Sequence, residues 1–144
     1  MPDTKTFDPS STLVTIGAWP VTGGWAPGTY IKASRRSESF KDDVGAVGDV
    51  VRIRNRDRRG TVELTFLRTA SINDYLSSLM AAAEQFNTGI VPITIEDRDG
   101  TTKIFGAECW ITKPADVEES VEAAHRTWTF AVSKLEMFIG GNLV

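Results

Sequence analysis

From Thr61 to Arg68 apolar and polar residues alternate, with Val62, Leu64 and Phe66 on one side and Thr61, Glu63 and Thr65 on the other. That period of two is the pattern of a half-buried strand. At Thr69-Ala70-Ser71 the period changes. Ile72, Tyr75, Leu76, Leu79, Met80 and Ala83 then recur at steps of three and four, which predicts an amphipathic helix over Ile72–Phe86. Ser71 is the expected N-cap, with Asp74 three residues on placing its charge at the helix N-terminus. Asn87-Thr88-Gly89 supplies the stop. Elsewhere the chain reads as strands.

Thr12–Trp19 is β-branched and alternating, and predicts one strand ended by Pro20 and Gly23-Gly24. Thr29–Ser34 predicts a second, short one. Arg35–Asn55 reads as a long charged hairpin. Its Gly-rich tip is Val44-Gly45-Ala46-Val47-Gly48-Asp49, its incoming arm carries Glu38, Asp42 and Asp43, and its outgoing side carries Arg52, Arg54, Arg56, Arg58 and Arg59. Such an arm has too few apolar residues to form a core layer, so it needs a partner or is mobile. Ile90–Glu96 and Thr102–Thr112 alternate around the turn signal Asp99-Gly100. Alternation assigns Phe105, Ala107, Cys109 and Ile111 to one face of the second of these, and Ile104 and Trp110 to the other. Pro114 to Glu122 is acidic and without period. Arg126–Glu136 predicts the last strand, with Trp128, Phe130 and Val132 against Thr127, Thr129, Ala131 and Ser133, and Met137–Gly141 trails off. The predicted class is mainly β (α+β): an antiparallel β-sandwich or barrel with one flanking α-helix and a long projecting hairpin at about 40–58. It forms one domain over 1–144, opened by a polar arm at 1–11 that is flexible or orders on assembly.

With 144 residues, 41% of them hydrophobic and 24% charged, the chain is of ordinary globular composition and long enough to bury a core. A net charge of −3 gives no overall reason to expect nucleic-acid binding. The single cysteine, Cys109, excludes an internal disulfide and any multi-cysteine metal site. The polar N-terminus has no apolar signal core, and no window approaches the roughly 20 apolar residues that span a bilayer, so the expected place of synthesis is a cytoplasm.

Little in the chain points to catalysis, and no cofactor is expected. The one histidine, His125, stands before the last strand, and Cys109 lies within an alternating strand, where its default role is that of a small buried hydrophobe. A Cys109–His125 nucleophile and base is one reading. Gly45-Ala46-Val47-Gly48 is no dinucleotide or phosphate fingerprint, and Asp97-Arg98-Asp99-Gly100 lacks the later ligands of a calcium loop. A second reading is a nucleic-acid-binding β-barrel module, because arginines at alternate strand positions across Arg52–Arg59 can follow phosphates. Against it stand the acidic facing arm and the absence of interleaved aromatics. A third reading is self-assembly. The charged hairpin, the polar arm and the small polar faces Thr61/Glu63/Thr65 and Thr127/Thr129/Ala131/Ser133 make sense together if strand edges and hairpin meet neighbouring copies.

The order of several fragments resembles the tail tube proteins of contractile-tailed bacteriophages and prophages. These are Phe40 with Val44-Gly45-Ala46-x-Gly48-Asp49-Val50 and Arg52; Gly60-Thr61-Val62-x-Leu64-Thr65; Thr69-x-Ser71-x-Asn73-Asp74-x-Leu76; Cys109-Trp110-Ile111 with Pro114; and Arg126-x-Trp128-x-Phe130. The similarity runs from about Leu13 to Asn142, and the stretch Arg54–Arg59 is more basic than the family pattern. The resemblance implies a non-enzymatic subunit of the virion tail, assembled in the host bacterial cytoplasm. Hexameric rings would stack into a hollow tube that passes DNA without specific binding and has no membrane contact. Its implied partners are itself, a sheath protein, a tape measure protein and a baseplate or initiator. The hairpin would contact the next ring, with Phe40, Asp42, Asp43, Val44, Asp49, Arg52, Arg54 and Arg56 as contact candidates. The helix would face the sheath, and Glu63, Thr65, Thr129 and Ser133 are lumen candidates. The tube of a bacteriocin- or secretion-type contractile machine shares the same physics.

Overall fold

Ten strands and one α-helix follow one another in the computed structural model, which describes residues 4–122 and 124–143. The strands are β1 (Thr12–Ile16), β2 (Trp19–Val21), β3 (Ile31–Arg35), β4 (Phe40–Val44), β5 (Val50–Arg54), β6 (Gly60–Leu67), β7 (Val91–Asp97), β8 (Lys103–Lys113), β9 (His125–Val132) and β10 (Leu135–Phe138), and the helix α1 is Ile72–Phe86. The predicted mainly β, α+β class is what forms. Eight strands make one antiparallel sheet in the order β2-β1-β7-β8-β9-β6-β3, with β10 also on β8. The strands β4 and β5 pair only with each other.

One face of the sheet supplies the core. Val62, Leu64 and Phe66 of β6, Phe130 and Val132 of β9, and Val14 and Ile16 of β1 are all at most 1% exposed, and they join Ile93, Ile95, Ile104, Cys109, Ile111, Trp128 and Leu135 in one cluster. The sheet curls around this cluster, and α1 covers it with Ile72 and Leu76 buried and Tyr75, Leu79 and Met80 partly so. Tyr75 is tied to the first hairpin: its ring stacks on Trp19 at 5.0 Å and its hydroxyl donates to the Ile16 carbonyl at 3.3 Å.

Several predicted details are corrected. Ser71 makes no side-chain cap bond. Asn73 does the tethering instead: its Nδ2 donates to the Leu67 and Ala70 carbonyls at 3.1 Å each, and its Oδ1 accepts from Trp128 Nε1 at 2.9 Å. The turn before the helix is thus locked to β9. Asn73→Ala, which orphans the indole N–H of the buried Trp128 and leaves the Leu67 and Ala70 carbonyls only their backbone donors, is expected to lower stability by about 1–3 kcal/mol, measured by urea unfolding. The helix C-terminus matches expectation, with Asn87 left-handed at φ 60° and its N–H on the Ala83 carbonyl.

Thr12–Trp19 is not one strand. The chain reverses at Gly17, φ +60°, and Trp19 opens β2, because only a residue without Cβ holds that backbone while Tyr75 and Val91 press against it. Strict alternation along β8 fails as well. Its register against β7 shifts between Val91↔Cys109 and Ile93↔Gly106, placing an extra residue in β8. Such a bulge reverses the facing parity and bends the strand. Consequently Ile104 and Cys109 are both buried, Ala107 is exposed, and Ile104 does not share a face with the exposed Trp110. The predicted strand Arg126–Glu136 breaks at Ser133-Lys134, after which β10 runs along the same edge of β8 that β9 occupies further on. Residues Met137 and Phe138, expected to trail off, are part of that ladder. Leu135 lies over Gly60, where any Cβ would sit 2.3 Å from Leu135 Cδ2. Ala131, assigned to the wetted face, is 5% exposed, flanked by Trp110 and Thr61 directly across the ladders.

Before β1, Asp8 caps a short 3-10 turn over Pro9–Ser11, and the flanking residues meet the C-terminal segment, with Lys5 Nζ on the Asn142 carbonyl at 3.1 Å and Asn142 Nδ2 on the Thr6 carbonyl at 2.8 Å. The arm's Pro2 lies outside the described residues.

Candidate assembly interface

The hairpin β4–β5 is exposed at every residue of both strands. Register places Phe40 opposite Arg54, Asp42 opposite Arg52 and Val44 opposite Val50 on one face, and Lys41 opposite Ile53 and Asp43 opposite Val51 on the other. Hence Phe40, Asp42, Val44, Arg52 and Arg54 come together on one face, while Asp43 lies on the reverse face. Asp49 sits in the tip, where its carbonyl accepts from Gly45 N–H at 2.8 Å and Gly48 takes φ +92°. Arg56 follows the hairpin, exposed at its base. Apolar side chains are bare along the whole element: Val44 is 63% exposed, Val47 88% and Val50 70%. An isolated two-stranded hairpin is marginal in water, and here neither face is covered.

The acidic and basic arms do not neutralise each other. No ion pair joins them among the described residues, although Asp42 and Arg52 are register partners. Arg52 turns its guanidinium over the Phe40 ring instead, 4.3 Å from the centroid, a cation–π contact. The arginines below the hairpin are held locally. Asp57 accepts from Arg59 Nε and Nη2 at 3.0 Å each, from the Arg59 backbone N–H at 3.1 Å and from Ser37 Oγ at 3.0 Å. These bonds, the Arg59 side chain first, hold the Asp57 carboxyl far below the usual carboxylate range. With its folded pKa depressed, the Asp57 contribution is present above the unfolded pKa and lost as pH falls through the folded one.

A second surface, half-buried at Glu63, Thr65 and Thr129, is the outer face of β6 and β9. Glu63 stands directly across from Thr129, and Thr65 across from Thr127, their hydroxyls 3.1 Å apart. Ser133 lies past the end of β9, where its N–H donates to the Glu108 carbonyl at 3.1 Å and its hydroxyl is within 3.4 Å of the Glu108 carboxylate. Glu63, Thr65 and Thr129 therefore share one small polar surface, with Ser133 at its border. Sequence reasoning missed two further exposed apolar groups: Phe86, Ile90 and Trp110 near the helix C-terminus, and Phe138 with Ile139 at the end of β10. Their signal was the apolar residues immediately after Gly89 and before Gly140.

Cys109 and His125 are not brought together. Cys109 is 0% exposed and paired with Val132, at the far end of β9 from His125. At about 3.3 Å per residue the separation along β9 is roughly 23 Å. Burial pushes the Cys109 thiol up to about 12. A raised folded pKa means its stabilising effect is intact below the unfolded value and is lost as pH rises toward the folded one. Native protein is accordingly expected to react with a thiol reagent at pH 8 at least about 100-fold more slowly than urea-unfolded protein, read by absorbance. Among the described residues no group of three or more His, Cys, Asp or Glu side chains is arranged to hold a metal ion. Asp99 of the discounted calcium-like turn accepts from Ser11 instead. Among those residues no helix is long and apolar enough to cross a membrane.

No family model and no curated protein matches the chain. Solved structures share the fold. A chain of the anti-feeding prophage cap (AFP tube terminating cap) aligns with TM-score 0.64 at 14% identity over 96% of this chain and 94% of that one. A chain of the sheath-tube complex of an extracellular contractile injection system, PVC, in the extended state aligns with TM-score 0.57 at 14% identity, covering 92% and 91%. A chain from the virion of a native gene transfer agent particle gives TM-score 0.56 at 12% identity, covering 93% and 100%. The class so defined is the fold found in components of contractile injection systems and of a gene transfer agent particle.

Proposed function

We propose that this chain is a structural subunit of a contractile tail or injection machine, and that it assembles into hexameric rings that stack into a hollow tube. The observation that carries this reading is the hairpin Phe40–Arg54: two strands exposed on both faces, apolar at Val44, Val47, Val50 and Ile53, bonded to no other strand among the described residues. A neighbouring copy supplies the missing cover. The fold likeness to cap and sheath-tube components supports the same setting. In this reading Phe40, Asp42, Asp43, Val44, Asp49, Arg52, Arg54 and Arg56 contact the next ring, and Glu63, Thr65, Thr129 and Ser133 border a channel whose polar and acidic lining passes DNA without holding it. Sheath, tape measure and baseplate proteins are the remaining partners, and the site of action is the tail of a phage or phage-like particle.

A second reading has a specific observation behind it. Of the likenesses described, that with the highest TM-score is to a tube terminating cap. A terminator closes a tube with one ring and does not propagate. Native mass spectrometry of the purified protein separates the two. Tube subunits give hexamers of the 15.8 kDa chain that grow into longer stacks with concentration, whereas a terminator stops at one ring. Monomers at every concentration would remove both.

A further inference from the structure

The base of the hairpin and the turn after β9 meet in one recess. Arg54, Arg56 and Arg58 line it from one side, Ser133 and Lys134 from the other, with Asp57 between. Two chain segments thus gather four cations at one place in a protein of net charge −3. Internal anions do not neutralise them. The Asp57 carboxylate is taken by Arg59 and Ser37. Arg58 donates to the Asn55 carbonyl at 2.6 Å, and Lys134 has only an exposed contact with Glu136 at 3.5 Å. Arg54 and Arg56 have no carboxylate within ion-pair reach among the described residues. Like charges lining one recess repel one another, the more so at low salt.

The opposite end of the same strand pair is acidic. The segment before β9 folds back there because Glu119 reaches both Arg68 and Arg126, the latter at 3.7 Å. That clip leaves Glu118 and Glu122 exposed and without a cation partner among the described residues. The strand β9 spans eight residues between the two ends, so the basic recess and the acidic segment lie roughly 25 Å apart along its axis, at about 3.3 Å per residue. Opposite charges at opposite ends of one element cannot meet within a molecule. They meet when a second copy is stacked head to tail along that axis, the heterologous arrangement that propagates.

We infer that the recess formed by Arg54, Arg56, Arg58 and Lys134 receives the acidic segment around Glu118 and Glu122 of the next copy. This inference rests on the self-assembly reading and adds a stacking contact distinct from the hairpin's apolar faces. The test is a charge swap in the full chain, followed by sedimentation at low and high salt. All four exchanged residues are exposed except for their local contacts, and melting curves verify that each variant folds. The double variant Arg54→Glu/Arg56→Glu, and separately Glu118→Lys/Glu122→Lys, should each lower the assembled fraction about tenfold at low salt. Combining all four should return assembly to within about twofold of the unaltered protein. Double variants that assemble normally, or a combined variant no better than either double, would overturn the contact while leaving the tube reading intact. Unaltered protein that never assembles would overturn both. Double arginine variants that assemble normally but lose retention on single-stranded DNA would reassign the recess to phosphate binding.

Discussion

Removing Asp43–Val51 from the hairpin is expected to abolish stacked assemblies completely while moving the melting temperature by no more than about 3 °C. The reason is separation of roles. No residue of β4, β5 or the turn between them belongs to the buried cluster, and no strand of the main sheet bonds to them. Folding therefore does not need the hairpin, whereas the uncovered Val44, Val47, Val50 and Val51 have nothing to do in a lone molecule except meet water. Sedimentation and calorimetry on the same sample check both halves. A shortened protein that still stacks would move the contact elsewhere, and one that melts far lower would show the hairpin to be part of the core after all. A milder companion, Ile53→Ala, should leave stability within about 0.5 kcal/mol, as exposed positions do, while weakening association.

The largest effect on stability is expected from Phe66→Ala, about 3–5 kcal/mol. Phe66 is 0% exposed and stacks on Trp25 at 4.8 Å, and near the end of β6 it is held on both sides: Arg126 of β9 lies across from it on one and the Trp25 bridge on the other. Deleting the ring leaves a cavity bounded by strands that are hydrogen-bonded on both edges and cannot close in. Against a typical stability of about 5–15 kcal/mol the loss is large enough to populate unfolded chain. Urea unfolding should show a lowered midpoint with an unchanged slope. Because assembly needs the folded subunit, this variant should also lose rings, but it will differ from the hairpin deletion by its lowered midpoint.

The elements legible in the sequence were those whose pattern is long and uninterrupted. The β6 alternation and the α1 stripe ran for two or more turns of their period, and the Gly-rich tip marked the hairpin. What was illegible followed from contacts between distant residues. The turn at Gly17 hides inside Thr15-Ile16-Gly17-Ala18-Trp19, where apolar spacing continues although the backbone reverses. The bulge in β8 leaves no compositional trace at Ala107-Glu108, yet it inverts which residues are buried beyond it. Asn73 outcompetes Ser71 at the helix start because Trp128, from β9, offers it a donor. The candidate site divides the same way. The hairpin's own residues could be named, but the recess could not, since Lys134 and Ser133 join the arginines only after β9 turns into β10 over Gly60.

That a lone copy of this chain is incomplete, and that copies cover one another's hairpins, is tested most directly by electron microscopy of the purified full-length protein, imaged from low to high concentration and at low and high salt. The account predicts closed rings of uniform diameter with a central opening, joined face to face as concentration rises. A field of single, unassociated molecules under every one of those conditions would contradict it.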